Sequence, residues 1–110
     1  MDEVRRALVR RLNDRLRRQH QGGRIVITAG VQALGPAFLE AALAAVAGFE
    51  RFDADNDPHG EHDFGALTVE GHRLLWKVEY YDTTLTAGSP DPADPAVTTR
   101  ALTLMLAEEY

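Results

Sequence analysis

The residues of this chain best suited to chemistry fall in one tract, Phe52-Asp-Ala-Asp-Asn-Asp-Pro-His-Gly-Glu-His-Asp-Phe64. Asp53, Asp55, Asp57, Glu61 and Asp63 stand there with His59 and His62 and with no Lys or Arg. Like charges packed so closely repel, so the tract must be solvated, hold a metal or face something positive.

A calcium loop fits poorly. Asp53, Asp55 and Asp57 have the one-three-five spacing of an EF-hand. The glycine comes at the eighth place instead of the sixth, however, and Phe64 stands where a bidentate glutamate is needed. A transition metal has better donors. His59 and His62, with Asp57, Glu61 or Asp63, offer nitrogen and oxygen for zinc or manganese, and Glu61 could take a proton from a bound water. Pro58 and Gly60 keep the His-Gly-Glu-His string out of a helix, so this is not the zincin arrangement. The plainer alternative is that both imidazoles hydrogen-bond carboxylates or backbone and pin the loop. That alternative outweighs a metal, and no cofactor is expected.

Other constellations carry less. Ser89 is the only serine and precedes Pro90, which gives a hydrolase triad little to build on. Gly22, Gly23, Gly30 and Gly35 make neither a phosphate loop nor a dinucleotide fingerprint. Tyr80-Tyr81-Asp82 could supply a phenol, although neighbouring strand positions face opposite ways, one ring inward and one outward. Arg5, Arg6, Arg10, Arg17 and Arg18 suggest phosphate contacts, but exposed Arg is ordinary on an amphipathic helix.

The elements that must position these groups can be read coarsely. The 110 residues suffice for one domain, 1–110. The absence of cysteine excludes disulfides and thiolate chemistry and fits a cytoplasmic protein. The charged start argues against a signal peptide, and the apolar stretch 25–50 is too interrupted to span a membrane. Residues 1–24 carry eight Arg against three acids, whereas residues 25–110 carry four bases against fourteen, so a basic helix meets an acidic body. These parts neutralise each other within one copy or between two, which leaves a homodimer open, or else the acidic body meets a basic partner.

The period of Val4, Leu8, Leu12 and Leu16 predicts a helix from Asp2 to about His20 with these four inward. Arg24–Thr28 reads as a strand and Pro36–Ala47 as a second, well-buried helix. Ala66–Glu70 and Arg73–Tyr81 read as a hairpin turning at Gly71-His72. In its second strand Leu74, Trp76, Val78 and Tyr80 face the helices, and Leu75, Lys77, Glu79 and Tyr81 face away. Asp94-Pro95 reads as the start of a last helix to about Glu108, carrying Val97, Ala101, Leu102, Met105 and Leu106. The expected fold is α+β, order α-β-α-β-β-α, with three helices packed on a small, mainly antiparallel three-stranded sheet.

The strings Asp55–Gly65, Trp76-Lys77, Tyr80–Asp82, Ser89–Pro95 and Leu102–Tyr110 resemble a family of small bacterial proteins of unknown function, often encoded on plasmids, integrated elements and phage-like clusters. The resemblance covers most of residues 12–110 and brings no catalytic residues with it. It implies a mobile-element setting, in which small acidic cysteine-free proteins are frequently counter-defence factors, anti-CRISPR proteins among them. The leading expectation is therefore a non-enzymatic inhibitor that occupies the basic nucleic-acid channel of a CRISPR effector complex and blocks DNA binding. Its acidic surface would comprise Asp53, Asp55, Asp57, Glu61, Asp63, Glu79 and Asp82, with Tyr81 or Phe64 as aromatic anchor. No direct nucleic-acid contact and no membrane are expected. The alternative is a small metal-dependent hydrolase or nuclease using His59, Glu61 and His62.

Overall fold

The computed structural model describes residues 2–110. Helix α1 spans Glu3–Gln19. The Asp2 carboxylate accepts from the Arg5 N–H at 2.8 Å and so caps its start, and His20 ends it in the left-handed conformation. Strand β1 (Arg24–Ile27) leads into a one-turn helix α2 (Ala29–Gln32) and then α3 (Pro36–Ala47). Pro36 occupies the first turn of α3, where its missing N–H costs nothing, and Gly35 before it adopts φ 93°, which side chains resist. After the acidic tract come β2 (Phe64–Val69), β3 (His72–Tyr81) and β4 (Thr99–Leu106). Short 3-10 turns at Pro95–Val97 and Ala107–Glu109 flank β4.

The fold is α+β, but the expected three-stranded sheet and the α-β-α-β-β-α order are overturned. The sheet has four strands in the order β1-β4-β3-β2, with β1 and β4 parallel and the other pairs antiparallel. The expected last helix is the strand β4, and the third helix is instead the single turn α2. Asp94 does cap the turn that follows, accepting from the Ala96 N–H at 2.9 Å, but the turn stops at Val97. Beyond it, Arg100, Leu102, Leu104 and Leu106 alternate with Ala101, Thr103 and Met105. Leu102 sits between Ile25 of β1 and Val78 of β3, and both faces of this central strand are largely covered. A strand buried on both faces reads as a nearly continuous apolar run, which helical spacing also fits.

The hairpin turns at Glu70-Gly71, not at Gly71-His72. Both turn residues have positive φ (49° and 83°), and His72 already pairs with Val69. The faces of β3 divide as the alternation required. Leu74, Trp76 and Val78 are buried with Leu102 and Leu104 against Leu16, Val31, Phe38, Ala42 and Val46 from the helices. Leu75, Lys77, Glu79 and Tyr81 lie on the other, more open face.

Helix α1 is rotated from the expected orientation. Its buried residues are Val9, Asn13, Leu16 and Arg17, whereas Val4 and Leu8 are 73% and 39% exposed. Residues four apart advance about 40° around an α-helix, so a stripe of that period winds away from any fixed contact line. Only Leu16 of the four reaches the core. Two polar residues, Asn13 and Arg17, take the inward positions beside it.

Candidate functional site

Arg10, Asn13, Asp14 and Arg17 follow one another at helical spacing and form the side of α1 that receives the acidic tract. Arg10 donates to the Gly60 carbonyl at 2.9 Å. The Asn13 amide donates to the Glu61 carbonyl at 3.0 Å and to the Tyr80 hydroxyl at 2.8 Å, and that hydroxyl donates onward to Glu61 Oε1 at 3.0 Å. Because Asp14 can only accept, His62 Nδ1 donates to it at 2.9 Å, which sets the imidazole tautomer. The His62 ring lies flat on Phe52 with centroids 3.8 Å apart.

Arg17 carries the network to α3. One of its terminal nitrogens donates to the carbonyls of Val46, Ala47 and Phe49 at 2.7–3.0 Å, and the other to Asp14 at 2.7 Å. A cation at the negative end of a helix, satisfying its last carbonyls, is favourable on both counts. Arg100 of β4 enters from the other side. It donates to Asn13 Oδ1 at 2.6 Å and to the Pro92 carbonyl, and it stacks over the Tyr80 ring at 5.1 Å. Arg17 and Arg100 are each 1% exposed and Asn13 is fully buried.

The tract also ties itself down. Asp57 Oδ1 accepts from the N–H groups of Glu61 and His62, which holds His62 at φ 54°, a left-handed value uncommon outside glycine. Asp53 Oδ1 accepts from the N–H groups of Asp55 and Asn56, closing an Asx turn. Burial, and after it the negative charge of Glu61, holds the Asp63 carboxyl above the usual carboxylate range. Burial alone would raise Asp14 too, but hydrogen bonds from Arg17 and His62 outweigh it and leave that carboxyl low. Burial drives the Tyr80 phenol well above its ordinary value and lowers the Arg100 guanidinium. The phenol is thus a neutral link between Asn13 and Glu61.

The expected acidic surface is divided. Asp57 is buried, and Glu61 and Asp63 are half-buried within the network and its rim. Asp53 and Asp55 are exposed on the first turn of the tract, and Asp53 lines a shallow recess beside β2 with Phe49, Ala66, Thr68 and Arg73. Glu79 and Tyr81 project from the open face of the sheet, opposite to the face where Tyr80 meets Glu61. Glu79 pairs with Lys77 at 3.0 Å there. The charge of Glu79 is also the main cause of the raised Tyr81 phenol. Phe64 is half-buried opposite Lys77. Asp82 binds the Thr84 hydroxyl and the Thr86 N–H at 3.0 Å in the following loop, and these bonds, the Thr86 N–H first, hold its carboxyl low.

The His59, Glu61 and His62 set does not converge. Among the described residues no three His, Asp or Glu side chains are placed to hold a metal ion. His59 is exposed, Glu61 faces Tyr80 and His62 faces Asp14. Sequence reasoning overlooked Asn13, Asp14 and Arg100, which complete the network. A faint signal existed for Arg100, the single charge in the strand Thr99–Leu106.

These features define an α+β protein whose mixed four-stranded sheet carries its helices on one face and locks an acidic loop onto α1 with buried polar bonds. The chain belongs to the family described as "Protein of unknown function (DUF3768)", whose model matches residues 27–109. The match takes in the whole tract and all but the first residues of the sheet, and leaves α1 outside it. No curated protein and no solved structure matches the chain. Among the described residues no helix is long and apolar enough to cross a membrane.

Proposed function

We propose that this protein acts by binding rather than by catalysis, as a cytoplasmic counter-defence inhibitor from a mobile element. In this reading it occupies the basic nucleic-acid channel of a CRISPR effector complex. The observation that carries the binding half is how the chemistry-bearing residues are spent. Asp57, Glu61, His62 and Tyr80 satisfy one another, α1 and the backbone, while the carboxylates of Asp53, Asp55 and Glu79 still face outward. The counter-defence half rests on the family resemblance and on the net charge of −5. Carboxylates meeting a basic channel would chiefly raise the association rate and select the partner, and inhibition should weaken as salt rises.

The test is plasmid interference in cells carrying a defined CRISPR system, with and without this protein. Rescue confined to one system type is the expected result, and failure in every type would overturn the counter-defence half. The variants must spare the fold. Asp57 and Asp53 hold backbone turns, whereas among the described residues no backbone N–H bonds the side chain of Asp55 or Glu79, and Glu79 pairs with the partly exposed Lys77. Asp55→Lys and Glu79→Lys, separately and together, should reduce rescue at an unchanged melting temperature. Undiminished rescue by the double variant would overturn the acidic-surface mechanism.

A further inference from the structure

The arginines of α1 divide into two sets. Arg5, Arg6, Arg10 and Arg17 are taken up within the molecule by Asp91, Glu3, the Gly60 carbonyl and the α3 terminus. Arg11, Arg15 and Arg18 stand on the outward side and are exposed. Arg15 bonds the Gln21 amide at 3.2 Å and Arg18 reaches the largely exposed Glu50 at 3.5 Å. No carboxylate pairs with Arg11 or Arg15 among the described residues. Val4 and Leu8, the residues the sequence had placed inward, lie on this same side. By the helical rotation, positions 4, 8, 11, 15 and 18 fall within about 80° of the circumference. Val4, Ala7 and Leu8 line a shallow, mainly apolar recess together with Glu3 and Arg11, and Arg11, Arg15 and Arg18 line a second recess with Asp14 and Gln19.

From this juxtaposition we propose that the outward face of α1 docks an acidic amphipathic helix of a partner protein. The apolar side of that helix would rest on Val4 and Leu8, and its carboxylates would meet Arg11, Arg15 and Arg18. The charge selects the occupant. A second copy in parallel register would set the rows of Arg11, Arg15 and Arg18 against each other, so like charges oppose that self-pairing. A nucleic acid would use the guanidinium row but not the exposed Val4 and Leu8. Two apolar anchors one helical turn apart are what helix recognition uses, with the flanking charge choosing the partner. This surface carries the opposite sign to the one proposed for inhibition, so each can fail without the other.

Fluorescence anisotropy with three labelled probes tests the proposal. The first is a helical peptide of about 17 residues, to match the ~25 Å of α1, with a leucine stripe flanked by glutamates. The second has the same charge with the leucines replaced by serine, and the third is a short DNA duplex. The leucine peptide should bind, and R11E/R15E and Leu8→Asp should each weaken it by roughly tenfold, about 1.4 kcal/mol, at an unchanged melting temperature. The serine peptide should bind no better to the native protein than the leucine peptide binds to Leu8→Asp. Absence of peptide binding, equal binding of the two peptides, or preferred binding of the duplex untouched by Leu8→Asp would each overturn the proposal.

Discussion

Arg17 and Arg100 are buried to the same degree but balanced differently. Arg17 has a carboxylate, Asp14, at hydrogen-bond distance, and three carbonyls besides. Among the described residues Arg100 has no carboxylate so close; the negative charge of Glu61 acts on it, linked through Asn13 and Tyr80. Asp14 therefore matters twice, to Arg17 and to His62. Its carboxyl is lower in the folded chain than in the unfolded one, so its contribution is present above the ordinary carboxylate range and lost as pH falls through the folded value. Asp63 is raised, so the sign reverses: its contribution is full below the ordinary range and lost as pH rises through its folded value. Asp14→Asn should cost about 2 kcal/mol near neutrality and flatten the acid limb of the stability curve. Asp63→Asn should be neutral or stabilising near neutrality. Urea midpoints near neutrality and at about pH 3 check both signs. Equal acid sensitivity of Asp14→Asn and the native chain would contradict the network.

Strand β4 decides the architecture, because it supplies both ladders of the sheet interior, the parallel one with β1 and the antiparallel one with β3. Thr103 is the informative position. It lies on the open face, paired with Val26 and Lys77, and its β-branched side chain suits a strand better than a helix. Thr103→Ala should destabilise by up to about 1 kcal/mol, and Thr103→Val should be neutral or better. Thermal melts separate this from a helix at the same segment, where alanine would gain and valine would lose. The 3-10 turn after β4 is also anchored. The Glu109 carboxylate accepts from the Thr28 hydroxyl and from the Gly30 and Leu106 N–H groups, bonds that hold it low. At Gly30 a Cβ would stand 2.6 Å from that carboxyl carbon, so a side chain there would displace the Glu109 carboxylate.

At the scale of the molecule, the charge asymmetry between residues 1–24 and 25–110 is partly neutralised inside one copy. Arg5 pairs with Asp91 and Arg18 reaches Glu50, whereas Arg10 and Arg17 bond neutral carbonyls of the tract and the end of α3, with Asp14 of α1 itself beside Arg17. The remaining charge is left at two surfaces of opposite sign, the outward face of α1 and the exposed carboxylates beyond it. Helix α1 is thus part of the fold although it precedes the residues the family model matches. Removing residues 2–19 would strip Val9 and Leu16 from the core, take Asn13 from Arg100 and Tyr80, and leave the carbonyls at the end of α3 without Arg17. Such a truncated chain should lose cooperative urea unfolding, read by the near-ultraviolet dichroism of buried Trp76. A cooperative transition at the native midpoint would show α1 to be an appendage.

Local features were legible in the sequence because their causes are local. Asp2, Pro36 and Asp94 mark element starts through hydrogen bonds and backbone restraints a few residues long, and the alternation in β3 sorts Leu74, Trp76 and Val78 from Lys77, Glu79 and Tyr81. The segment Thr99–Leu106 was not legible, because its apolar spacing satisfies two periods and only the presence of β1 on one side and β3 on the other selects the strand. The inward face of α1 was hidden for a related reason. Burying Asn13 and Arg17 is tolerable only when the Glu61 carbonyl, Tyr80, Asp14 and the end of α3 are there to bond them. Composition and pattern by themselves determined an α+β chain with a basic N-terminal helix and a concentrated acidic tract. The tertiary structure alone decided which of those charges the protein consumes internally and which it offers to others, since desolvation and pairing depend on neighbours far along the chain.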